Sequence, residues 1–508
     1  MFKTKLYTSL TLLLGLLLVI TLLGPAVPPS DYMSLKAQPV LAQIVATDPH
    51  QRVSVIVQKV SGAADIGKQV HQLGGTITRD LGIINAFSVE IPAGAIIELV
   101  RLPEVRWISL DAPMLSTLCT KCVDTSKLAN AYIRAIKADQ VWNNSPYLQG
   151  TGIGVAVLDS GVNPNGDLYT SMGVNRQVAD VSFNSDYNQN PSDGYGHGTH
   201  VSSIVGGDGS ESGGKYVGVA PLVNIINVKV SNDDGSAMMA DVVEGLQWVL
   251  ENKSTYNIRV VNLSLNSSVA ESYHTSPLAA AVEILWFNKI VVVVSAGNHG
   301  ESALYPPAND PFVITVGAVD DKGTNSLSDD VMATFSAYGQ TSDGVKKPDL
   351  VAPGRNIVAR LVNQNMGLAN EHPSNRVGDQ YFRMSGTSMS APMVSAAVAL
   401  LLQDEPNLTP DQVKFRLMAT ANKLWPGYNA AKSGAGYLDI YAAVRGTTTK
   451  SANTGVKASQ LLTTGSSPIT WNSVGWNSVG WNTVGWNTVG WNTVGWNTVG
   501  WNSDYWEQ

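Results

Sequence analysis

Gly154-Val155-Ala156-Val157-Leu158-Asp159-Ser160-Gly161 is an apolar run that ends on a carboxylate and a turn glycine. Val155–Leu158 shows no polar alternation, which fits a strand buried on both faces rather than one half in water. Runs of the same kind recur at Ile225–Val230, Val260–Leu265 and Ile290–Ser295, with helical segments such as Asp241–Glu251 and Pro277–Phe287 between them. Buried strands alternating with helices predict an α/β domain over 128–445, doubly wound around a mostly parallel sheet. Ligands of such a domain bind beyond the carboxyl ends of its strands, which is where Asp159 stands.

Outward from that domain the chain changes character. Arg52–Gln58 alternates like a strand, Ile66–Leu73 has helical spacing, and Thr76–Leu81 and Ala86–Ile91 read as strands. Ile96–Leu102 is helical and Val105–Leu110 closes the segment as a last strand. The order β-α-β-β-α-β over 52–110 predicts a small ferredoxin-like α+β domain. A connector at 111–127 carries Pro113, Cys119 and Cys122. After Arg445 comes a Thr/Ser/Gly-rich linker (446–470), and then a Trp-Asn-Ser/Thr-Val-Gly repeat fills 471–508.

A chain of 508 residues is too long for one compact core, and a net charge of -7 offers no basic face to nucleic acid. The two cysteines form Cys-Thr-Lys-Cys without the second ligand pair a zinc site needs. A small local disulfide or redox pair and a linker feature with no catalytic work both remain open. Lys3 and Lys5 precede an apolar run from Leu6 to Gly24, the pattern of a signal peptide or anchor over 1–26. Either way the rest of the chain is expected outside the cell, with cleavage after Ala26 or Ala42. Attachment to the cell envelope stays open.

Asp159, taken alone, is a turn aspartate. Gly152 and Gly154 hint at a dinucleotide fold, but they precede the strand, whereas that fingerprint follows it. His197, in Gly196-His197-Gly198-Thr199-His200-Val201, opens a helical stretch, and the glycines beside it point to close backbone approach. Ser388, in Ser385-Gly386-Thr387-Ser388-Met389-Ser390-Ala391-Pro392, is by default a residue at a helix start. Ser390 stands where a nucleophile elbow would have glycine, so the segment is not one.

The three segments, in the order Asp, His, Ser, resemble those of the subtilisin-like serine peptidases, and the likeness spans 128–445. That order is the one known for subtilisin itself. The stretch Lys347-Pro348-Asp349-Leu350-Val351-Ala352-Pro353-Gly354 places the likeness with the bacterial members. The resemblance implies a secreted endopeptidase with Asp159, His197 and Ser388 as catalytic triad. It also implies Asn298, in Ala296-Gly297-Asn298, as the side-chain donor to the oxyanion. Two edge segments, Gly235-Ser236-Ala237 and Ser264-Leu265-Asn266, are implied to pair with an extended protein or peptide substrate, whence broad specificity.

The same resemblance makes 52–110 an inhibitory propeptide, carried by Asn85–Pro92 and Pro103-Glu104-Val105, with self-cleavage in the connector. The chemistry requires no cofactor. Structural calcium is common in the family; the loop Gly206–Lys215, with Asp208 and Glu211, is either a calcium loop or a solvated Gly/Ser loop. A period of five fits neither a helix nor a strand over any length. The tail is therefore disordered, a solenoid, or an aromatic surface for cell-wall or polysaccharide contact. A rival reading, an attachment protein on an inactive scaffold, leaves four intact site residues without a purpose.

Overall fold

The computed structural model describes residues 33, 35–62, 65–112, 122–170, 173–184, 190–301, 304–361, 367–464, 467–468 and 498–501. The leader over 1–26, Cys119 and most of the pentapeptide repeat lie outside the described residues. The chain divides into two compact units, 1–120 and 121–508.

The first unit is built as its alternation predicts. Arg52–Lys59, Thr76–Leu81, Ala86–Pro92 and Val105–Leu110 form one sheet, in which the first strand is flanked by the third and the fourth. The described pairings among these four strands are antiparallel. Helices Gly67–Gln72 and Ile96–Leu99 occupy the α positions of β-α-β-β-α-β. Val55, Val57, Val89 and Ile91 alternate inward to a core that includes Ile66, Val70 and Ile96. A helix at Pro39–Thr47 was not legible in the sequence. Its Leu41 is fully buried in the same core, and Ala42 is an exposed residue of this helix.

The second unit holds the parallel sheet. In space its strands run Val331–Met332, Ile314–Asp320, Val291–Ser295, Ile258–Leu263, Gly154–Asp159, Asn224–Lys229 and Gln177–Ser182. Leu350–Pro353 also joins Ile314–Asp320. Only Val331–Met332 runs antiparallel among the described pairings of this sheet. Every residue of Gly154–Asp159 and Val291–Ser295 is buried, as an unbroken apolar run requires when helices cover the strand. Two helix pairs pack on the strands, Met239–Asn252 with Pro277–Phe287 and His197–Gly206 with Thr387–Asp404. The strand expected at Ile225–Val230 begins one residue earlier and that at Val260–Leu265 two earlier, since pairing with neighbours sets the ends.

Capping and a buried ion cluster set the margins. Ser276 accepts from the Ala279 N–H with Pro277 at the first helical position, which is why Pro277–Phe287 was readable to the residue. Lys347 and Lys414 both pair with Asp349, at 2.8 and 3.1 Å, in a buried cluster. Burial pushes the Lys347 ammonium down to about 8. Burial alone would raise Asp349; the two lysines beside it hold it below the usual carboxylate range.

Trp286 is fully buried, and its indole N–H donates to Asp411 Oδ1 at 3.0 Å. Trp286→Ala is expected to lower unfolding stability by about 3–5 kcal/mol through the cavity it leaves. Urea denaturation checks this; a loss below about 1 kcal/mol contradicts the packing described.

Candidate active site

Asp159 is the last residue of its strand and fully buried. His197 Nδ1 lies 2.9 and 3.0 Å from the two Asp159 oxygens, and the Ser160 N–H donates to Oδ1 at 2.8 Å. Burial pushes the Asp159 carboxyl up, while the adjacent His197 and the Ser160 N–H pull it back down. With Nδ1 facing a carboxylate, the neutral ring carries its proton there and leaves Nε2 as the basic nitrogen.

The two glycines beside His197 make this approach possible. A Cβ on Gly198 would stand 2.1 Å from the Gly161 carbonyl oxygen and 2.9 Å from Asp159 Oδ1. Gly196 has φ of 107°, in the left-handed region, just before the helix begins. The helix start is held by Asp193, which the sequence reading missed. Asp193 accepts from the Gly196 N–H, the Thr199 N–H, the Thr199 hydroxyl and the Ser160 hydroxyl, at 2.6–2.8 Å. A carboxylate suits the N-terminal end of a helix. An aspartate four residues ahead of His197 was the available cue.

Ser388 lies in the first turn of Thr387–Asp404, the helix that packs on the His197 helix. Its side chain is buried, and its hydroxyl donates to the Ser264 carbonyl at 3.0 Å. The Ser264 hydroxyl in turn donates to the Ser388 carbonyl at 3.0 Å. Ser390 anchors the same turn by donating to the Ala352 and Pro353 carbonyls, both at 3.0 Å. The helix expected at Met393–Leu402 therefore begins six residues earlier, and Ser388 is inside it.

Asn298 follows Val291–Ser295 and meets the Ser388 turn. Its Oδ1 accepts from the Thr387 N–H and the Thr387 hydroxyl, each at 3.0 Å. A backbone N–H can only donate, so the oxygen must face Thr387 and the amide nitrogen must point away. That nitrogen, Nδ2, is buried and has no hydrogen-bond partner among the described residues. An orphaned buried donor costs about 1–3 kcal/mol.

The expected edge segments overlap two short strands. Gly235 and Ser236 form a turn, Gly235 at φ 83°, with Ser236 capped by Asp234 at 2.6 Å; the strand residues are Ala237 and Met238. Ser264 precedes the other strand, Leu265–Ser267. The Asn266 side chain turns inward to donate to the Ser295 carbonyl at 3.0 Å. In the loop read as either a calcium loop or a solvated loop, both acidic side chains have protein partners. Glu211 is paired with Arg360, and Asp208 Oδ1 accepts from the Ser210 N–H at 2.9 Å. Among the described residues no group of three or more His, Cys, Asp or Glu is placed to hold a metal. Cys122 is disulfide-bonded.

The subtilase family model matches residues 150–438, more than half of the chain. The chain belongs to the subtilase family. It is 35% identical over 412 residues to the serine protease AprX of Bacillus subtilis, covering 78% of this chain and 88% of that protein. It is 32% identical to subtilisin DY of Bacillus licheniformis over 317 residues, 62% of this chain and 97% of the relative. Subtilisin E of Bacillus subtilis matches at 28% over 385 residues, 74% and 85% of the two chains. The protein is a serine endopeptidase with a subtilisin-like α/β fold.

One more subtilase histidine is structural. His200 is fully buried and its Nε2 faces the Ile357 and Phe382 carbonyls at 3.2 and 3.1 Å. Burial pushes its pKa down to about 3. The unfolded ring, near 6.5, takes a proton that the folded ring refuses, so stability falls as pH drops from about 6.5 toward 3. One proton corresponds to a slope of about 1.4 kcal/mol per pH unit. His200→Gln keeps the donor and is expected to remove that slope between pH 6 and 4. Equal slopes in urea unfolding of both proteins contradict it.

Proposed function

We propose that this subtilase is exported as a precursor and cleaves protein substrates through an acyl-enzyme on Ser388. The observation that carries the reading is the paired contact of His197 Nδ1 with both oxygens of the buried Asp159 carboxylate. Asp159 fixes the tautomer and stabilises the imidazolium; His197 Nε2 takes the Ser388 proton as Oγ attacks the scissile carbonyl carbon. The proton then passes to the leaving amine, the C–N bond breaks, and water activated by the same nitrogen releases the acyl group. Ser388 first leaves the Ser264 carbonyl, which frees that acceptor for an N–H of the substrate.

Asn298 Nδ2 and the Ser388 N–H receive the oxyanion. The orphaned state of Nδ2 supports this, because a donor without a partner in the resting site gains one in the tetrahedral intermediate. Ala237–Met238 and Leu265–Ser267 take an extended chain by main-chain pairing, which favours broad specificity. The domain at 52–110 serves as intramolecular inhibitor until the connector at 111–127 is cut. Lys3, Lys5 and the apolar run after them direct export.

Ser388→Ala is expected to abolish casein hydrolysis and to leave the precursor at full length by mass spectrometry. Asn298→Ala is expected to lower kcat about 100–1,000-fold with little change in KM, the loss known for an oxyanion asparagine in a subtilisin. If Ser388→Ala retains wild-type hydrolysis and processing, Ser388 is not the nucleophile. An unchanged kcat in Asn298→Ala removes Asn298 from the reaction.

A further inference from the structure

Ala237–Met238 and Leu265–Ser267 do not pair with each other; a single strand, Thr498–Trp501, lies between them. It pairs antiparallel with both, and Val499 stands opposite Ala237 on one side and Ser267 on the other. These are the two edges that, under the reading above, receive a substrate. The strand comes from the pentapeptide tail, which lies outside the residues the family model matches.

Direction adds a second observation. Val499 is level with Ser267, Gly500 with Asn266 and Trp501 with Leu265, so the tail advances toward Ser264. The Ser264 carbonyl is the acceptor of the Ser388 hydroxyl. The tail thus runs toward the nucleophile along one wall of the groove. Neighbouring strands sit about 4.8 Å apart, so a gap filled by one strand has no room for another. Tail and substrate exclude each other.

The repeat suits this task. A period of five offers no constant face to a long strand, but the paired stretch spans Thr498 to Trp501, shorter than one repeat. Thr-Val-Gly-Trp recurs at 483–486, 488–491 and 493–496, so each copy offers the groove the same register. Thr, Val and Trp favour extended backbone.

We propose that the Trp-Asn-Thr-Val-Gly tail is a tethered competitive ligand of its own chain's substrate groove, and must leave before a protein substrate enters. The inference rests on the groove assignment made under Proposed function. Tethering on a linker supplies an effective concentration on the order of millimolar, enough for weak main-chain pairing to matter.

The test compares full-length Ser388→Ala with the same variant ending at Thr470, using hydrogen exchange read by mass spectrometry. Amides at 237–238 and 265–267 are expected to exchange at least tenfold faster without the tail. The synthetic peptide Trp-Asn-Thr-Val-Gly-Trp-Asn, added to the shortened protein, is expected to restore protection. Identical exchange with and without the tail overturns the proposal. Protection that vanishes on tenfold dilution also overturns it, since the occupant is then another copy's tail. In parallel, the wild-type chain ending at Thr470 is expected to show a KM for a peptide anilide about tenfold below full length, with kcat unchanged. If neither wild-type protein hydrolyses the anilide, the catalytic reading fails while the exchange comparison still decides the docking.

Discussion

A carboxylate with no exposure at the end of a buried strand is the constraint around which this site is arranged. Burial raises the Asp159 carboxyl above the usual carboxylate range. Donors brought within 3.0 Å, the His197 ring and the Ser160 N–H, oppose that rise. The His197 ring can approach Asp159 this closely because Gly198 has no Cβ to strike the Gly161 carbonyl. Asp193 then fixes the helix that carries His197, through four hydrogen bonds that also include the Ser160 hydroxyl. The ring is therefore held at both its partner and its root.

Around that pair, the remaining groups are set by short latches rather than by bulk packing. Thr387 receives the Gly297 N–H on its hydroxyl and gives its own N–H and hydroxyl proton to Asn298. One residue thereby ties the turn after a strand to the turn before a helix, and orients the Asn298 amide. Such local, directional bonds hold the two turns in one mutual geometry. The apolar sheet beneath, with its helices, supplies the rigid floor.

The pentapeptide tail shows why a repeat can defeat pattern reading. Its period excludes both regular faces when taken over many residues. A strand added between two edges needs only as many residues as the edges are long, and here that is Thr498–Trp501. Main-chain pairing is indifferent to what the following repeat does.

The sequence by itself determined the kind of protein: unbroken apolar runs demanded strands covered on both sides, and Asp159, His197 and Ser388 carried flanks specific enough to name a family. Capped segments such as Pro277–Phe287 were readable to the residue because cap and Pro are local chemistry. Only the tertiary structure decided the rest. The Pro39–Thr47 helix earns its place by burying Leu41 in a core made of distant strands. Asp193 matters through donors that the fold gathers around it. The short strands Ala237–Met238 and Leu265–Ser267 have the ends they do because pairing, not composition, sets where a strand begins. Contacts between residues far apart in the chain have no signature in local periodicity, and that is the physical limit of what the sequence discloses.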